Sequence, residues 1–327
     1  MSIEKKKFNN SEKAIRFLEN LAFSNDNYIF RGHPSSKYRL QTTYYRHTLK
    51  YYSEEYRTTI NIDFDINTII DKFRTGLVRN DIPIPFDEVE FRENQDWLEY
   101  ARHYGVPIPC LDFTYSPYIA LFFAFNELHI SHKEKGIEKY VVVYALNLNS
   151  LSFWWCKLDL EKLKRRLNKE SKELTKKDYD RNLRDCLNAF LNPNLERKLG
   201  HRFPENEIIF IPYPSRYNKR MQKQAGALLY DTLNHKSYDC EDLEGVLENI
   251  KETPEVLPDR SEKISNTLTK IFINKKCAKD VFQRLELMEI NGGKLFQDEN
   301  GVRMDVVNTF HYSPKTSYLR DISLYKY

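Results

Sequence analysis

Glycine is scarce in this sequence, and its scarcity excludes the loops that most often bind phosphate groups. The chain has 10 glycines among 327 residues. Neither a GxGxxG nor a GxxxxGK[ST] pattern occurs, so the glycine-rich turns with which Rossmann and P-loop proteins hold nucleotides are missing. A nucleotide site in this chain must therefore be built in another way.

Cysteine and long apolar runs are also scarce. The five cysteines form no CxxC pair, and their odd number favours a reduced intracellular protein. The stretch MSIEKKKFNNSEKAI at the amino terminus has no apolar segment typical of a signal peptide. No stretch approaches about 18 continuous apolar residues, so we expect no membrane span and a cytoplasmic location.

A strong charge of one sign is missing as well. The 51 basic and 47 acidic side chains leave a formal charge of +4, which is too small by itself to indicate nucleic-acid binding. The chain is rich instead in hydrophobic residues, at 41%, and in aromatic residues, at 14%. This content is ample for one large core.

The pattern of apolar residues predicts an α+β domain. Strands are predicted where β-branched or apolar stretches are bounded by Pro, Gly or Asn, namely at 27–32, 106–115, 139–148, 207–212, 226–232 and 268–274. Helices are predicted after Asn10 or Ser11, within 52–79, and over 87–105, 116–128 and 278–290. The helix 116–128 is apolar on nearly all sides, so we expect it at the centre of the fold.

Residues 158–200 interrupt the strand pattern with a dense mixture of Lys, Arg, Glu and Asp. Their sparse apolar positions at helical spacing predict exposed helices that are inserted into the main body. We therefore interpret residues 1–327 as a single α+β domain with a charged helical insertion.

The stretch NYIFRGHPSSKYRLQTTYYR (27–46) places Arg31 at the end of a predicted buried strand, with Gly32 directly after it. An arginine keeps its charge and is rarely buried without an anionic partner. Gly32 allows another backbone or a ligand to approach closely. Arg31 therefore either pairs with an internal Asp or Glu or holds the phosphate of a ligand.

A second group of polar residues, Asp112, Thr114 and Ser116, occupies alternate positions of an extended segment. Alternate positions point the same way along a strand, and the free N–H groups of a predicted helix follow at once. Together with Arg31, this combination is typical of an anion or nucleotide pocket. The alternative is a capping cluster, in which Asp112 neutralises Arg31 and Ser116 caps the helix.

The segment YPSRYNKRMQKQAGALLY (213–230) brings Arg220 and Gln224 to the start of a predicted strand. The amide of Gln224 donates and accepts hydrogen bonds at one point, which suits a site residue. The alternative is a polar residue at the end of a helix that Gly226 caps.

The residue spacing offers one weak metal pattern. Glu127, His129 and His132 form E-x-H-x-x-H at the end of a predicted helix, which is a possible ligand spacing. Histidine at a helix end is stabilised by the helix dipole without a metal, so we predict no metal site.

The three polar segments, in this order, resemble the FRG-domain family. YIFRGH (28–33) is similar to the motif that names the family, with His33 where glutamine is usual, and LQTTYYR (40–46) is similar to a downstream element. RHYGVPIPCLDFTYSPYIALFFA (102–124) and NKRMQKQAGALLY (218–230) resemble two further elements. The resemblance extends over residues 27–307.

The chain is also similar, at a greater distance, to mono-ADP-ribosyltransferases. Those enzymes hold a phosphate of NAD with an arginine at the end of their first strand, and a later glutamate is catalytic. Here Arg31 takes the place of that arginine, DFTYSP (112–117) resembles their Ser-Thr-Ser strand loosely, and Gln224 stands where the glutamate is expected. A glutamine has no negative charge with which to stabilise an oxocarbenium-like transition state. Other acids that would supply the charge are Glu205, Glu207 and Asp231.

The resemblance implies an ADP-ribosyltransferase-like mixed sheet core with flanking helices, and NAD or a related nucleotide as ligand and substrate. It places Gln224 at the catalytic position. It implies binding roles for Arg31, Gly32, His33, Arg46, His103, Tyr104, Asp112, Thr114, Ser116 and Arg220. The implied function is an ADP-ribosyltransferase or NAD-hydrolysing effector, such as a bacterial toxin or anti-phage defence protein. The alternative is a non-catalytic FRG module that binds a protein or a nucleic acid.

Overall fold

A computed structural model describes residues 3–51, 66–84, 94–128, 135–151, 208–211, 218–231, 242–249 and 267–310. Its strands are β1 (Glu4–Phe8), β2 (Tyr28–His33), β3 (Cys110–Thr114), β4 (Tyr140–Asn147), β5 (Ile208–Ile211), β6 (Gly226–Asp231) and β7 (Leu268–Asn274). They form one sheet in the order β1-β7-β4-β2-β3-β6-β5. The pair β1 and β7 is parallel and the other neighbours are antiparallel, so the predicted mixed sheet is confirmed.

Helices surround the sheet. They are α1 (Ser11–Ala22), α2 (Thr43–Tyr51), α3 (Ile66–Arg79), α4 (Asn94–His103), α5 (Pro117–Phe125), α6 (Lys219–Lys223), α7 (Leu243–Asn249), α8 (Ala278–Leu287), α9 (Gly292–Phe296) and α10 (Glu299–Asn308). Asn10 caps α1 by accepting a hydrogen bond from the N–H of Lys13. Gly105 follows α4 with a φ of 81°, as expected of a glycine that ends a helix in the left-handed conformation.

The predicted strands all lie in this sheet, and β1 is an addition that the sequence pattern does not predict. Its sequence, EKKKF, contains three lysines and alternates between half-buried and exposed positions. The strand lies at the edge of the sheet, where lysines discourage pairing with other chains. An edge strand of this kind lacks the apolar signature that identifies the central strands.

The described residues form three apolar clusters, two of them on opposite faces of the sheet and a third in which Cys110 and Tyr230 pack with α3 and α4. On one face, Phe30 and Val143 pack with α1, α5 and α8. On the other face, Ile29 and Leu146 pack with Leu40 and with α7. The helix α5 is buried on almost every side, which confirms the prediction that it is central.

Gly32 is required by the contact between β2 and α5. A Cβ atom at this position would lie 1.9 Å from the carbonyl oxygen of Ala120 and 2.6 Å from the backbone nitrogen of Ala124. Both atoms belong to the backbone of α5, which fixes the distance between strand and helix. The close approach that Gly32 allows is therefore the approach of another backbone.

The predicted helical insertion over 158–200 lies outside the described residues, as do His129 and His132. Within the described ranges, no helix combines the length and the apolar character that crossing a bilayer requires.

Candidate functional site

The candidate site lies where β2 and β3 separate. These strands pair at one register position, Phe30 opposite Thr114, whereas β2 pairs with β4 along its whole length from Tyr28 to His33. The residues that follow Phe30 and those that precede Thr114 therefore border an opening in the sheet. Arg31 and Asp112 are the charged residues on the two sides of that opening.

A cleft of about 370 Å³ occupies this opening. Its walls come from β2, β3, the end of α4, α6 and the turn before β6. Its charged lining residues, among those the structure describes, are Arg31, Arg102, Arg220, Glu99 and Asp112. Small-molecule sites usually measure about 300–1000 Å³, so the size and the charge of the cleft suit a small anionic ligand.

Arg31 bridges the gap between β2 and β3. Its Nη1 donates a hydrogen bond to the carbonyl oxygen of Asp112, and its Nε donates to Nε2 of His33 over 3.1 Å. In the described part of the chain, no carboxylate lies within ion-pair distance of the guanidinium. The sequence allowed a capping cluster in which the Asp112 carboxylate neutralises Arg31. The fold does not adopt that ion pair.

The carboxylate of Asp112 pairs instead with Arg102, which is a residue that the sequence argument did not single out. Arg102 lies in the last turn of α4, where a basic side chain is favoured by the helix dipole, so its position gave no unusual signal. The other oxygen of Asp112, Oδ1, is buried and has no hydrogen-bond partner among the described residues. One residue thus holds two arginines, through its carbonyl and through its carboxylate.

Arg220 supplies the third guanidinium. It lies 3.9 Å from the ring centroid of Phe296, in a cation–π contact that holds it against α9. Burial lowers the pKa of Arg220, and the charge of Arg102 lowers it further against the opposing effect of Asp298 and Asp112. The guanidinium stays charged, so its burial costs free energy. A bound anion would reduce that cost.

The charge of Arg31 is also incompletely compensated within the protein. Burial lowers its pKa, Asp112 opposes this effect, and the positive charges of Arg102 and Arg46 add to it. For Arg102, burial alone would lower the pKa, but the neighbouring Asp112 carboxylate raises it above the usual value. The cleft therefore contains one arginine that is neutralised within the protein and two whose charge is less well compensated.

The predicted catalytic residue, Gln224, has a structural partner. Its side chain is buried, and its Nε2 donates to the carbonyl oxygen of Leu295 over 3.3 Å. Its own carbonyl accepts from the hydroxyl of Thr114, which in turn accepts from the N–H of Ser116. Both Gln224 and Thr114 line the cleft, while Ser116 caps α5 by accepting from the N–H of Ile119.

The remaining predicted binding residues divide into two groups. His103 and Gly32 line the cleft. Arg46 and Tyr104 do not, since Arg46 donates to the carbonyl oxygen of Gln41 and Tyr104 is 62% exposed. Arg46 acts on the site through its charge alone, because it contributes to the lowered pKa of Arg31.

Glu99 is a cleft residue that the sequence argument missed. It is 5% exposed on α4, and its carboxylate accepts a hydrogen bond from Nδ2 of Asn218 over 2.6 Å. Its position three residues before Arg102 places both on one helix face, but Arg102 itself gave no unusual signal, so this spacing did not point to Glu99. Of the acids considered from the sequence, Asp231 is buried at the end of β6 and does not line the cleft. Glu205 and Glu207 lie outside the described residues.

His33 does not line the cleft and lies directly beside Arg31. Its ring contacts Tyr38 and Tyr144 edge to face, with centroid distances of 5.9 and 5.8 Å. Burial lowers the pKa of His33 to about 2, and the positive charges of Arg31, Arg46 and Lys270 contribute to the shift. His33 is therefore neutral in the folded protein.

The low pKa of His33 predicts a pH dependence of stability. The unfolded chain binds a proton at His33 below about pH 6.5 and the folded protein does not, so the free energy of unfolding falls as the pH falls. Between pH 7 and pH 5 this one group lowers it by about 2 kcal/mol. Denaturant unfolding of the wild type and of His33→Gln at both pH values measures the difference. A slope with pH that is the same in the two proteins would contradict the prediction.

Comparison with known proteins supports part of the resemblance. Residues 26–133 match the model of the FRG domain. The match includes Arg31, Arg102 and Asp112 and ends before Arg220 and Gln224. No curated protein and no solved structure matches the chain. The similarity of this segment to the FRG-domain family is thus supported, and the similarity to ADP-ribosyltransferases stays a prediction.

Proposed function

We propose that the cleft binds NAD or a related nucleotide through its pyrophosphate, and that the protein consumes NAD by transferring its ADP-ribose group to an acceptor or to water. The observation that carries the proposal is the convergence of Arg31, Arg102 and Arg220 on one cleft, where one of the three is neutralised by Asp112. Two adjacent phosphate groups match two guanidinium groups, because each guanidinium presents paired N–H donors to phosphate oxygens.

In this proposal, different residues of the cleft hold different parts of the ligand. Arg31 is fixed at the opening between β2 and β3 by two hydrogen bonds, so its remaining donors serve one phosphate. Arg220 is fixed from one side by Phe296, so its donors serve the other. The buried Oδ1 of Asp112 is an acceptor without a partner among the described residues, and a ribose hydroxyl is a donor of the right kind.

Cleavage of NAD requires a negative charge close to the sugar. The bond between C1′ and the nicotinamide nitrogen breaks, its electron pair leaves with neutral nicotinamide, and positive charge develops on the sugar. In hydrolysis, water forms the new bond to C1′ and loses one proton to the solvent. We assign the stabilising role to Glu99, because it lines the cleft, is buried and is held by Nδ2 of Asn218 over 2.6 Å. A preorganised carboxylate is the group that such a transition state needs.

A Glu99→Gln variant tests this assignment. We expect it to bind NAD within about threefold of the wild type and to release nicotinamide about 100-fold more slowly, as is typical when one preorganised charge is removed. Calorimetry measures the affinity, and chromatography of nicotinamide measures turnover. Glutamine has nearly the same shape and still accepts from Asn218, so the variant retains the packing of α4.

A second candidate function is a non-catalytic binding module. It is favoured by Gln224, whose amide is used to hold the carbonyl oxygen of Leu295 and which has no charge to offer. Wild-type protein that binds NAD and releases no nicotinamide would support this candidate. Wild-type protein that does not bind NAD at all would contradict the proposed ligand, and a protein or nucleic-acid partner would then be sought.

The proposal extends to the role of the protein. An enzyme that consumes NAD in the cell that makes it acts as a toxin or as an anti-phage defence effector, by analogy with other domains of this chemistry. Expression of the wild type, but not of Glu99→Gln, is then expected to deplete cellular NAD and stop growth.

A further inference from the structure

We propose that His33 is a positioning residue, which sets the orientation of the Arg31 guanidinium and does not touch the ligand. The inference rests on the proposed function, because it assumes that Arg31 holds a phosphate. His33 follows Arg31 by two positions on β2, so both side chains leave the same face of the sheet. The Nε of Arg31 donates to Nε2 of His33 over 3.1 Å, and His33 is not part of the lining of the cleft.

The imidazole of His33 is itself held in place. Tyr38 and Tyr144 contact the ring edge to face, with interplanar angles of 88° and 89°. Tyr144 is fixed in turn, because its hydroxyl lies 2.8 Å from the carboxylate of Glu244. That carboxylate pairs with the buried Lys270 at 2.6 Å. The ring that receives Arg31 therefore belongs to the rigid part of the fold.

The contact works only with a neutral imidazole. To accept from Arg31, Nε2 must present a lone pair, so the ring proton must be on Nδ1. A doubly protonated ring would direct an N–H at the guanidinium and place two positive charges side by side. Burial favours the neutral form, and the positive charges of Arg31, Arg46 and Lys270 add to this effect.

The orientation matters because phosphate recognition by arginine depends on the plane of the guanidinium. The bond to His33 and the bond from Nη1 to the carbonyl oxygen of Asp112 fix that plane at two edges. The remaining N–H groups of the guanidinium then face the cleft in a fixed orientation. Arg31 therefore loses little further side-chain entropy when a ligand binds. Removal of the acceptor at position 33 frees the plane to rotate, although the charge of Arg31 is unchanged.

Two variants separate positioning from packing. His33→Gln keeps an acceptor, because Oε1 of glutamine extends about as far as Nε2 of histidine, and it loses the ring contacts. His33→Phe keeps a ring between Tyr38 and Tyr144 and loses the acceptor. We expect His33→Gln to bind NAD within about threefold of the wild type and His33→Phe to bind at least about tenfold more weakly. The reverse order, with Phe retaining the affinity and Gln losing it, would assign His33 a packing role and overturn the inference.

Nuclear magnetic resonance of the protein labelled with ¹⁵N-histidine tests the same contact without any ligand. We expect the His33 signals of a neutral ring protonated at Nδ1, and a shift of the Nε2 signal in Arg31→Ala. A ring protonated at Nε2 would contradict the inference whatever the affinities are. If the wild type shows the expected signals and does not bind NAD, the proposed function fails while the contact between His33 and Arg31 stands.

Discussion

A Gly32→Ala variant is expected to lose at least about 3 kcal/mol of stability, because a methyl group at this position has nowhere to go. Overpacking a core usually costs about 1–3 kcal/mol when side chains can adjust. Here the new Cβ would lie 1.9 Å from the carbonyl oxygen of Ala120, which belongs to the helix backbone and cannot rotate away. Since domains are stable by about 5–15 kcal/mol, we expect a large drop in Tm or insoluble protein.

The chain offers a matched control for this substitution. Gly76 lies inside α3, and a Cβ added there meets no atom within 4 Å. Gly76→Ala should therefore raise stability by about 1 kcal/mol, which is the difference in helix propensity between the two residues. Thermal and denaturant unfolding of both variants measure the effects. Equal stability of the two proteins would show that β2 and α5 do not approach as closely as the structure indicates.

The central part of the fold could be predicted from the sequence because its elements are locally consistent. The cap at Ser116, the proline in the first turn and the apolar sequence of α5 all agree with one another. The strands β4 and β7 are rich in β-branched residues and each ends at an asparagine, and β7 is found at its predicted limits, 268–274. Each of these signals depends on neighbours in the chain, so a single sequence is enough to reveal them.

The pairing of charges across the cleft could not be predicted in the same way. Arg31 and Asp112 are 81 positions apart, and the sequence argument considered them as an ion pair. Whether Asp112 pairs with Arg31 or with Arg102 depends on how the strands separate, and strand pairing is a tertiary property. The sequence therefore identified the polar cluster and the glycine, and the identity of the partners came from the geometry.

Replacement of Arg102 with alanine is expected to destabilise the fold. The same replacement at Arg31 is expected to destabilise it less. Arg102→Ala leaves the Asp112 carboxylate without its ion-pair partner. The pair is partly buried, with side-chain exposures of 28% and 32%. Its loss should cost about 2 kcal/mol, between the about 0–1 kcal/mol of an exposed pair and the about 3–5 kcal/mol of a buried one. Denaturant unfolding at pH 7 measures this cost.

Arg31→Ala should instead remove ligand binding from a protein that stays folded. The variant loses hydrogen bonds to His33 and to the carbonyl oxygen of Asp112, at about 1 kcal/mol each. It leaves no carboxylate unpaired, and it no longer buries a charge, so its net loss of stability should be smaller than that of Arg102→Ala. Loss of a buried charged contact to phosphate costs about 3 kcal/mol of binding free energy. The affinity for NAD should therefore fall about 100-fold. Calorimetric titration with NAD and a thermal melt are the two measurements.

Arg31→Lys makes the test of Arg31 sharper. Lysine keeps the positive charge but lacks the planar fork that bonds both His33 and the carbonyl oxygen of Asp112 and that the proposed function also uses for a phosphate. We expect this variant to fold and to bind NAD almost as weakly as Arg31→Ala does. If both variants melt as low as Arg102→Ala and the wild type does not bind NAD, then Arg31 stabilises the opening between β2 and β3 and has no ligand to hold.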